Sequence, residues 1–418
     1  MTWDIVVIGA GAGGLSAALA AQDDHVKVLV LEREAVLGGI LNQCIHNGFG
    51  LHEFEEDLTG PEYAERFIDA FHERGIDLRL ETTVMGLHET RNGFVVEAFD
   101  RRAGKLDIQT RAVILSSGCY ERTRGQIRIP GERPAGVMPA GSAQRYLNIE
   151  GYLVGKEVFI LGSGDIGLIM ARRMTLEGAT VKGIAEIMPY SNGLTRNIAQ
   201  CLEDFDIPLY LSHTVTDIRG ADRLEGITIE AVDEDFRVIE GTKKDFAVDC
   251  LLLSVGLIPD TMVLESLDVK MHPHTRGPKV DHTFHTSVEG LFACGNALHV
   301  HDLVDDVSEE SRRAGRCAKD YVRKSLGKGE TQLELIAGEG IAYTVPSTID
   351  LSRFDDLIRC AFRVKRKAQT ATFKLIQDDT VIASRKARFV APAEMEHIDI
   401  GPDDLKGGHA PVTLIMEV

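Results

Sequence analysis

The stretch that most constrains the fold is the first, Asp4-Ile5-Val6-Val7-Ile8-Gly9-Ala10-Gly11-Ala12-Gly13-Gly14. Ile5 to Ile8 is a β-branched run of the kind buried on both faces of a parallel sheet, and Leu15 to Ala21 is an Ala/Leu-rich helix directly behind it. Between them Gly9 permits a tight turn, Gly11 lets a pyrophosphate approach the backbone, and Gly14 lets helix and strand pack closely. The helix N-terminus then offers unpaired N–H groups and about half a positive charge to the phosphates. The next strand, Val26 to Leu31, ends in Glu32, 18 residues after Gly14, where a carboxylate can grip both ribose hydroxyls of an adenosine. Strand, turn, helix and acid together imply a dinucleotide site.

The same grammar recurs in mid-chain. Lys156 to Leu161 reads as a strand, Gly162-Ser163-Gly164-Asp165-Ile166-Gly167 repeats the glycine spacing, and the strand from Thr180 reaches Glu186, 19 residues after Gly167. Two such fingerprints argue two dinucleotide-binding domains. Glu186 would repel a 2′-phosphate, so a nicotinamide cofactor bound there is expected to be NADH rather than NADPH. A retained glycine turn need not retain a ligand, so an empty, structural second site is the competing reading.

At 418 residues the chain exceeds one simple core and suggests two or three domains. A formal charge of −18 argues against nucleic acid or an anionic membrane surface as a partner. No apolar run approaches the roughly 18 residues needed to span a bilayer, and a strand beginning by residue 4 leaves no room for a signal peptide. The seven cysteines, at 44, 119, 201, 250, 294, 317 and 360, are odd in number, widely spaced and without Cys-x-x-Cys. Neither a disulfide framework nor a zinc site is expected, and the reading is a cytoplasmic protein.

Between these landmarks, Val36 to Gly50 reads as a long, polar, glycine-punctuated loop. A helix is expected over Pro61 to Glu73, strands around Leu78 to Leu87 and Phe94 to Phe99, and an apolar strand over Ala112 to Ser117 that stops at Gly118. A similar strand runs from Cys250 to Gly256, and a short one from Thr286 to Asn296 has a polar residue at its C-terminal edge, where open α/β sheets hold ligands. Helical spacing covers Asp305 to Ser325, with Val307, Ala314, Ala318 and Val322 on one side. From about Ala337 short β-rich runs alternate with turn residues, as in a small antiparallel β domain with nothing catalytic in it.

Three glycine signatures in this order resemble the two-dinucleotide-binding-domain flavoprotein oxidoreductases, which include glutathione, thioredoxin and coenzyme A disulfide reductases. The resemblance covers roughly residues 1 to 330. It implies FAD on Gly9, Gly11, Gly14 and Glu32, NAD(H) on Gly162, Gly164, Gly167 and Glu186, and a return strand whose end holds the flavin's ribityl chain. That return is Cys294-Gly295-Asn296, with Asn in place of the usual Asp. Gly118 completes the implied flavin set. Four further stretches, Gly38 to Gly50, Gly118 to Arg122, Arg133 to Gly141 and His299 to Asp305, resemble the oxidoreductase subunit associated with anaerobic glycerol-3-phosphate dehydrogenases. This implies a hetero-oligomer with a flavoprotein dehydrogenase subunit and a small cysteine-rich protein, a homodimer being the alternative. More distantly, the middle of the chain resembles flavin subunits of opine and amino-acid dehydrogenases and of hydrogen cyanide synthase.

The implied organisation is α/β: two Rossmann-like dinucleotide-binding domains, one inserted in the other, plus a small C-terminal antiparallel β domain. An FAD domain of residues 1–122 and 281–330 would enclose an NAD domain of 123–280, with 331–418 as the β domain. For catalysis, Cys44 lacks the second cysteine of a dithiol relay. It is either a nucleophile with a lowered pKa or a structural residue of the flavin pocket. The resemblance places His46, His299 and His301 near the flavin, where an imidazole can hand over a proton, a satisfied structural histidine being the alternative. His-x-His-Asp at 299–302 is only a partial ligand set, so no metal is expected. Arg122 and Arg124 are candidates for an anionic substrate or the pyrophosphate, or are solvated surface arginines.

Overall fold

The computed structural model describes residues 2–324, 332–354, 356–405 and 410–418. Ser325 and the expected domain boundary at 330/331 lie outside the described residues. The chain divides into two compact units, one of residues 1–119 and 259–418 and the other of 120–258.

In the first unit the strand Thr2–Ile8 sits between Val28–Leu31 and the C-terminal half of Gly104–Leu115, parallel to both, with Ile5 opposite Val28 and Ala112. Asp77–Arg79 extends one edge, and Leu291–Ala293 returns to the other by pairing Leu291 with Val113. Ile5, Val6 and Val7 are fully buried, as a run flanked on both faces requires. The N-terminal half of Gly104–Leu115 continues into an antiparallel meander with Gly93–Asp100 and Thr82–Thr90. Helix Gly60–Arg74 is capped by Thr59, whose backbone N–H donates to Glu62 Oε2 at 2.8 Å, and stops at Gly75 in the left-handed region. The long helix Val304–Lys324 buries Ala314, Ala318 and Val322, while Val307 stays partly exposed. It crosses helix Ala12–Ala21 closely enough that a Cβ on Gly315 would lie 2.2 Å from the Ala17 carbonyl oxygen.

The second unit repeats the central pattern. Glu157–Leu161 lies between Thr180–Glu186 and Cys250–Leu253, all parallel, with Leu209–Leu211 and Val137–Pro139 at the edges. His213–Arg219, Gly226–Ala231 and Lys244–Phe246 form a separate antiparallel sheet.

The C-terminal strands belong to the first unit and have a core of their own around Leu333, Phe362, Phe373 and Leu414. Their pairing is mostly antiparallel, as expected, but Gln332–Ala337 pairs in parallel with Val412–Glu417, Leu335 opposite Val412. No local pattern marks that long-range pair. The Val36–Gly50 loop is also more regular than expected. A 3-10 turn spans Gly39–Gln43, and Asn47–Phe49 pairs with Leu58–Thr59. No helix among the described residues is long and apolar enough to cross a membrane.

Candidate functional site

The two glycine turns are built alike. Gly9 N–H donates to Leu31 O at 2.8 Å, and Gly162 N–H to Ala185 O at 2.7 Å. Glu32, buried at the end of its strand, accepts from Ala10 N–H at 2.7 Å and Glu34 N–H at 2.8 Å. Glu186 accepts in the same way from Ser163 N–H at 2.9 Å and Met188 N–H at 3.0 Å, and also from Ser163 Oγ at 2.7 Å. Each acid is thus locked by backbone donors beside the helix N-terminus, at Gly11 in one turn and Gly164 in the other.

The glycines divide by what a side chain would meet. A Cβ on Gly14 would lie 1.8 Å from Gly9 O, and one on Gly167 would lie 2.5 Å from Gly162 O. A Cβ on Gly9 would lie 2.4 Å from Ser116 O, and one on Gly162 would lie 2.0 Å from Ser254 O. Strand–helix packing demands Gly14 and Gly167, while positive φ and the backbone that follows the neighbouring strand demand Gly9 and Gly162. Gly11 and Gly164 differ: their Cβ atoms would approach nothing nearer than Gly39 Cα at 4.0 Å and Ser254 Oγ at 3.6 Å, and both have ordinary negative φ. Nothing in the protein requires glycine there, whereas a pyrophosphate lying against the turn does. The residues fit a dinucleotide in both places.

Over the first turn folds the Gly38–Gly50 segment, whose Gly38 N–H donates to Ala10 O at 2.9 Å. Cys44 is half-buried, its thiol donates to Ile40 O at 3.3 Å, and burial pushes its pKa up to about 12. The lowered pKa that a nucleophilic role requires is not what this setting produces. His46 bonds its neighbour, Nδ1 lying 2.9 Å from Asn47 O, and its ring leans on Phe49. Among the described cysteines none forms a disulfide.

A second cluster forms where the returning strand ends. Gly295 N–H donates to Glu310 Oε1 at 2.7 Å, and His301 N–H donates to Asn296 Oδ1 at 3.0 Å. Asn296 Nδ2 lies 3.6 Å from Cys119 Sγ. Glu310 Oε2 takes both imidazoles, His299 Nε2 at 2.8 Å and His301 Nε2 at 3.3 Å. Burial alone would raise the Glu310 pKa, but the two imidazoles hold it well below the usual carboxylate range. Burial has the opposite sign for the imidazoles: it depresses His299 and acts the same way on His301, where the Glu310, Asp306 and Asp302 carboxylates together outweigh it and raise the pKa. Sequence reasoning missed Glu310, which sits nine residues beyond His301 on a helix whose other acids look like a solvated face. Only its position two turns inside that helix brings it under the histidine loop.

The C-terminal strands, expected to carry nothing catalytic, hold this loop. Arg363 donates to Asp302 Oδ1 at 2.5 Å and Val300 O at 3.2 Å, and Met395 N–H donates to Asp302 Oδ2 at 2.7 Å. Gly118, with φ of +78°, accepts from Asp260 N–H at 2.9 Å through its carbonyl. Arg124 is spent on loop carbonyls, Pro130 O at 3.1 Å and Gly131 O at 2.9 Å, and so acts as a staple.

The family described as pyridine nucleotide-disulphide oxidoreductase matches residues 3–314. The chain is 23% identical to hydrogen cyanide synthase subunit HcnB of Pseudomonas protegens, covering 65% of this chain and 60% of that one. It is 27% identical to a dihydrolipoyl dehydrogenase of Pseudomonas aeruginosa, covering 80% and 71%. It thus spans about three fifths of the first of these relatives. Among solved structures, the thioredoxin reductase of T. acidophilum shares the fold at a TM-score of 0.62 and 24% identity, covering 76% of this chain and 98% of that one.

Proposed function

Because this chain belongs to the pyridine nucleotide-disulphide oxidoreductase family, which binds FAD and NAD(P)H, we propose that it is an FAD-dependent oxidoreductase passing electrons between NAD(H) and a partner or small acceptor. The observation that carries the reading is the pair of turns in which Gly11 and Gly164 are spared by the protein and explained by a ligand. FAD is assigned to Gly9, Gly11, Gly14, Glu32, Gly118, Gly295 and Asn296, and NAD(H) to Gly162, Gly164, Gly167 and Glu186. The buried Glu186 carboxylate favours a ribose hydroxyl over a 2′-phosphate. When bound, FAD supplies the two-electron carrier between the nicotinamide and the acceptor. The chain's own residues cradle the pyrophosphates, grip the riboses and hold a proton on His301 for the substrate side, with His46 as the other loop imidazole.

We assign the physiological acceptor to a complex, with a flavoprotein dehydrogenase subunit of glycerol-3-phosphate oxidation and a small cysteine-rich protein, in the cytoplasm. The single cysteine of the Gly38–Gly50 loop supports this, and so does the likeness to hydrogen cyanide synthase subunit HcnB. A free-standing NADH oxidase or thiol-disulfide reductase using Cys44 is the alternative, and the raised pKa of that thiol counts against the thiol chemistry. Co-purification with the neighbouring subunits, followed by glycerol-3-phosphate-driven reduction of NAD⁺, tests the assignment. Full-speed turnover of NADH with a disulfide by the isolated chain, abolished by Cys44→Ser, overturns it.

A further inference from the structure

We propose that His299, His301 and Glu310 form a binding site for one divalent transition-metal ion. The loop offers His-x-His, and the structure supplies the carboxylate that this motif lacks in sequence. One ligand-type atom from each residue lies within 4.8 Å of the others, and both imidazole Nε2 atoms face a single carboxylate oxygen. The side chains are 0%, 3% and 11% exposed, so the donors are shielded from bulk water. A four-coordinate ion with N and O ligands at about 2.0–2.2 Å sets those atoms about 3.3 Å apart. The His301–Glu310 separation of 3.3 Å already matches that edge, and the His299–Glu310 separation of 2.8 Å needs about half an ångström of opening.

Outer contacts hold two of the three ligands. Glu310 is anchored through Oε1 by Gly295 N–H at 2.7 Å, and His301 Nδ1 lies 3.4 Å from Asn296 Oδ1. On its open side the cluster meets a cleft lined by His301, Glu310, Asp306, Glu309, Arg359 and His397. The cleft supplies an entry path and room for water in the remaining coordination position, as in two-histidine, one-carboxylate sites that keep a position free. When the ion displaces the proton that His301 otherwise holds, two neutral imidazoles and one carboxylate leave the donor set with a single negative charge, suited to a divalent cation. His299 is the least supported ligand, because its buried Nδ1 has no hydrogen-bond partner.

The three ligands belong to the protein alone, but Gly295 and Asn296, which support them, are also assigned to the flavin, so metal and flavin are counted separately. The untagged full-length protein is dialysed against a chelator, titrated with Co²⁺ and followed by visible d–d absorption, while bound Zn²⁺ is counted by elemental analysis and FAD by its own absorbance. One ion per chain is expected, with Co²⁺ affinity falling about 100-fold in His301→Ala and in Glu310→Gln and about 10-fold in His299→Ala. His301→Ala leaves the Glu310–Gly295 bond in place, so it remains informative if Glu310→Gln folds poorly. Wild-type protein that takes up no Co²⁺ or Zn²⁺, or variants that bind as tightly as wild type, would show a hydrogen-bonded trio and overturn the proposal. Either result leaves the flavin count as an independent reading.

Discussion

Two turns in one chain share a spacing, a clamped acid and a spared central glycine, yet they are finished differently. Around the first, the covering segment is glycine-rich, with Gly39 standing opposite Gly11. Around the second, the covering segment is polar: Ser191 Oγ donates to Ser163 O at 3.1 Å, and Leu194 N–H donates to Asp165 Oδ1 at 2.9 Å. The second turn also carries Ser163 where the first has Ala10, which gives Glu186 a hydroxyl donor that Glu32 lacks. The repeat therefore keeps what packing needs and what the proposed pyrophosphates would need, while the covering segments differ.

Substitutions that break this parallel are ordered by what a new methyl group meets. The largest effect is on folding. Gly14→Ala and Gly167→Ala each drive a Cβ into a backbone carbonyl oxygen, which cannot swing aside. Each should cost about 3 kcal/mol or more, read as a drop in the urea midpoint. A midpoint unchanged in either variant would refute the packing argument.

Gly11→Ala and Gly164→Ala come next and should leave stability within about 1 kcal/mol of wild type, since both are helix N-cap positions with free space. Their effect falls on ligands. A methyl in the pyrophosphate's path should weaken FAD in the first variant and NADH in the second by about 10- to 100-fold, measured by calorimetry. Smaller again is Glu186→Gln, which removes the charge that rejects a 2′-phosphate. NADH binding should weaken about tenfold, and discrimination against NADPH should shrink with it.

The smallest predicted effect belongs to Cys44. With a pKa of about 12, its thiolate is scarce at pH 8 and becomes the main form only as pH climbs through that value. Alkylation at pH 8 should run about 100-fold or more below that of a free thiol, and Cys44→Ser should leave NADH-driven flavin reduction intact. Fast labelling at neutral pH would restore the thiol-reductase reading.

The glycine turns were legible because their signals are local: strand, glycines, helix and acid all fall within about thirty residues. The helix before Gly75 was legible for the same reason, although its N-cap proved to be Thr59. What escaped is long-range. Glu310 meets His301 only through the pitch of a helix, Arg363 reaches Asp302 from 61 residues away, and Leu335 pairs with Val412 across most of the C-terminal region. None of these leaves a periodic trace. The contrast with Gly38–Gly50 is instructive, since its glycines announced a loop correctly but hid the 3-10 turn that holds Cys44 against Ile40.

The central claim is that the first turn holds FAD and the second holds NAD(H), and anaerobic stopped-flow mixing with NADH tests it most directly. Wild-type protein should show an oxidised flavin spectrum that bleaches rapidly. Gly164→Ala should carry the same flavin and bleach far more slowly at limiting NADH, while Gly11→Ala should be depleted of flavin at the outset. Flavin in Gly164→Ala that bleaches at the wild-type rate at every NADH concentration, or wild-type flavin that NADH leaves oxidised, would contradict the account.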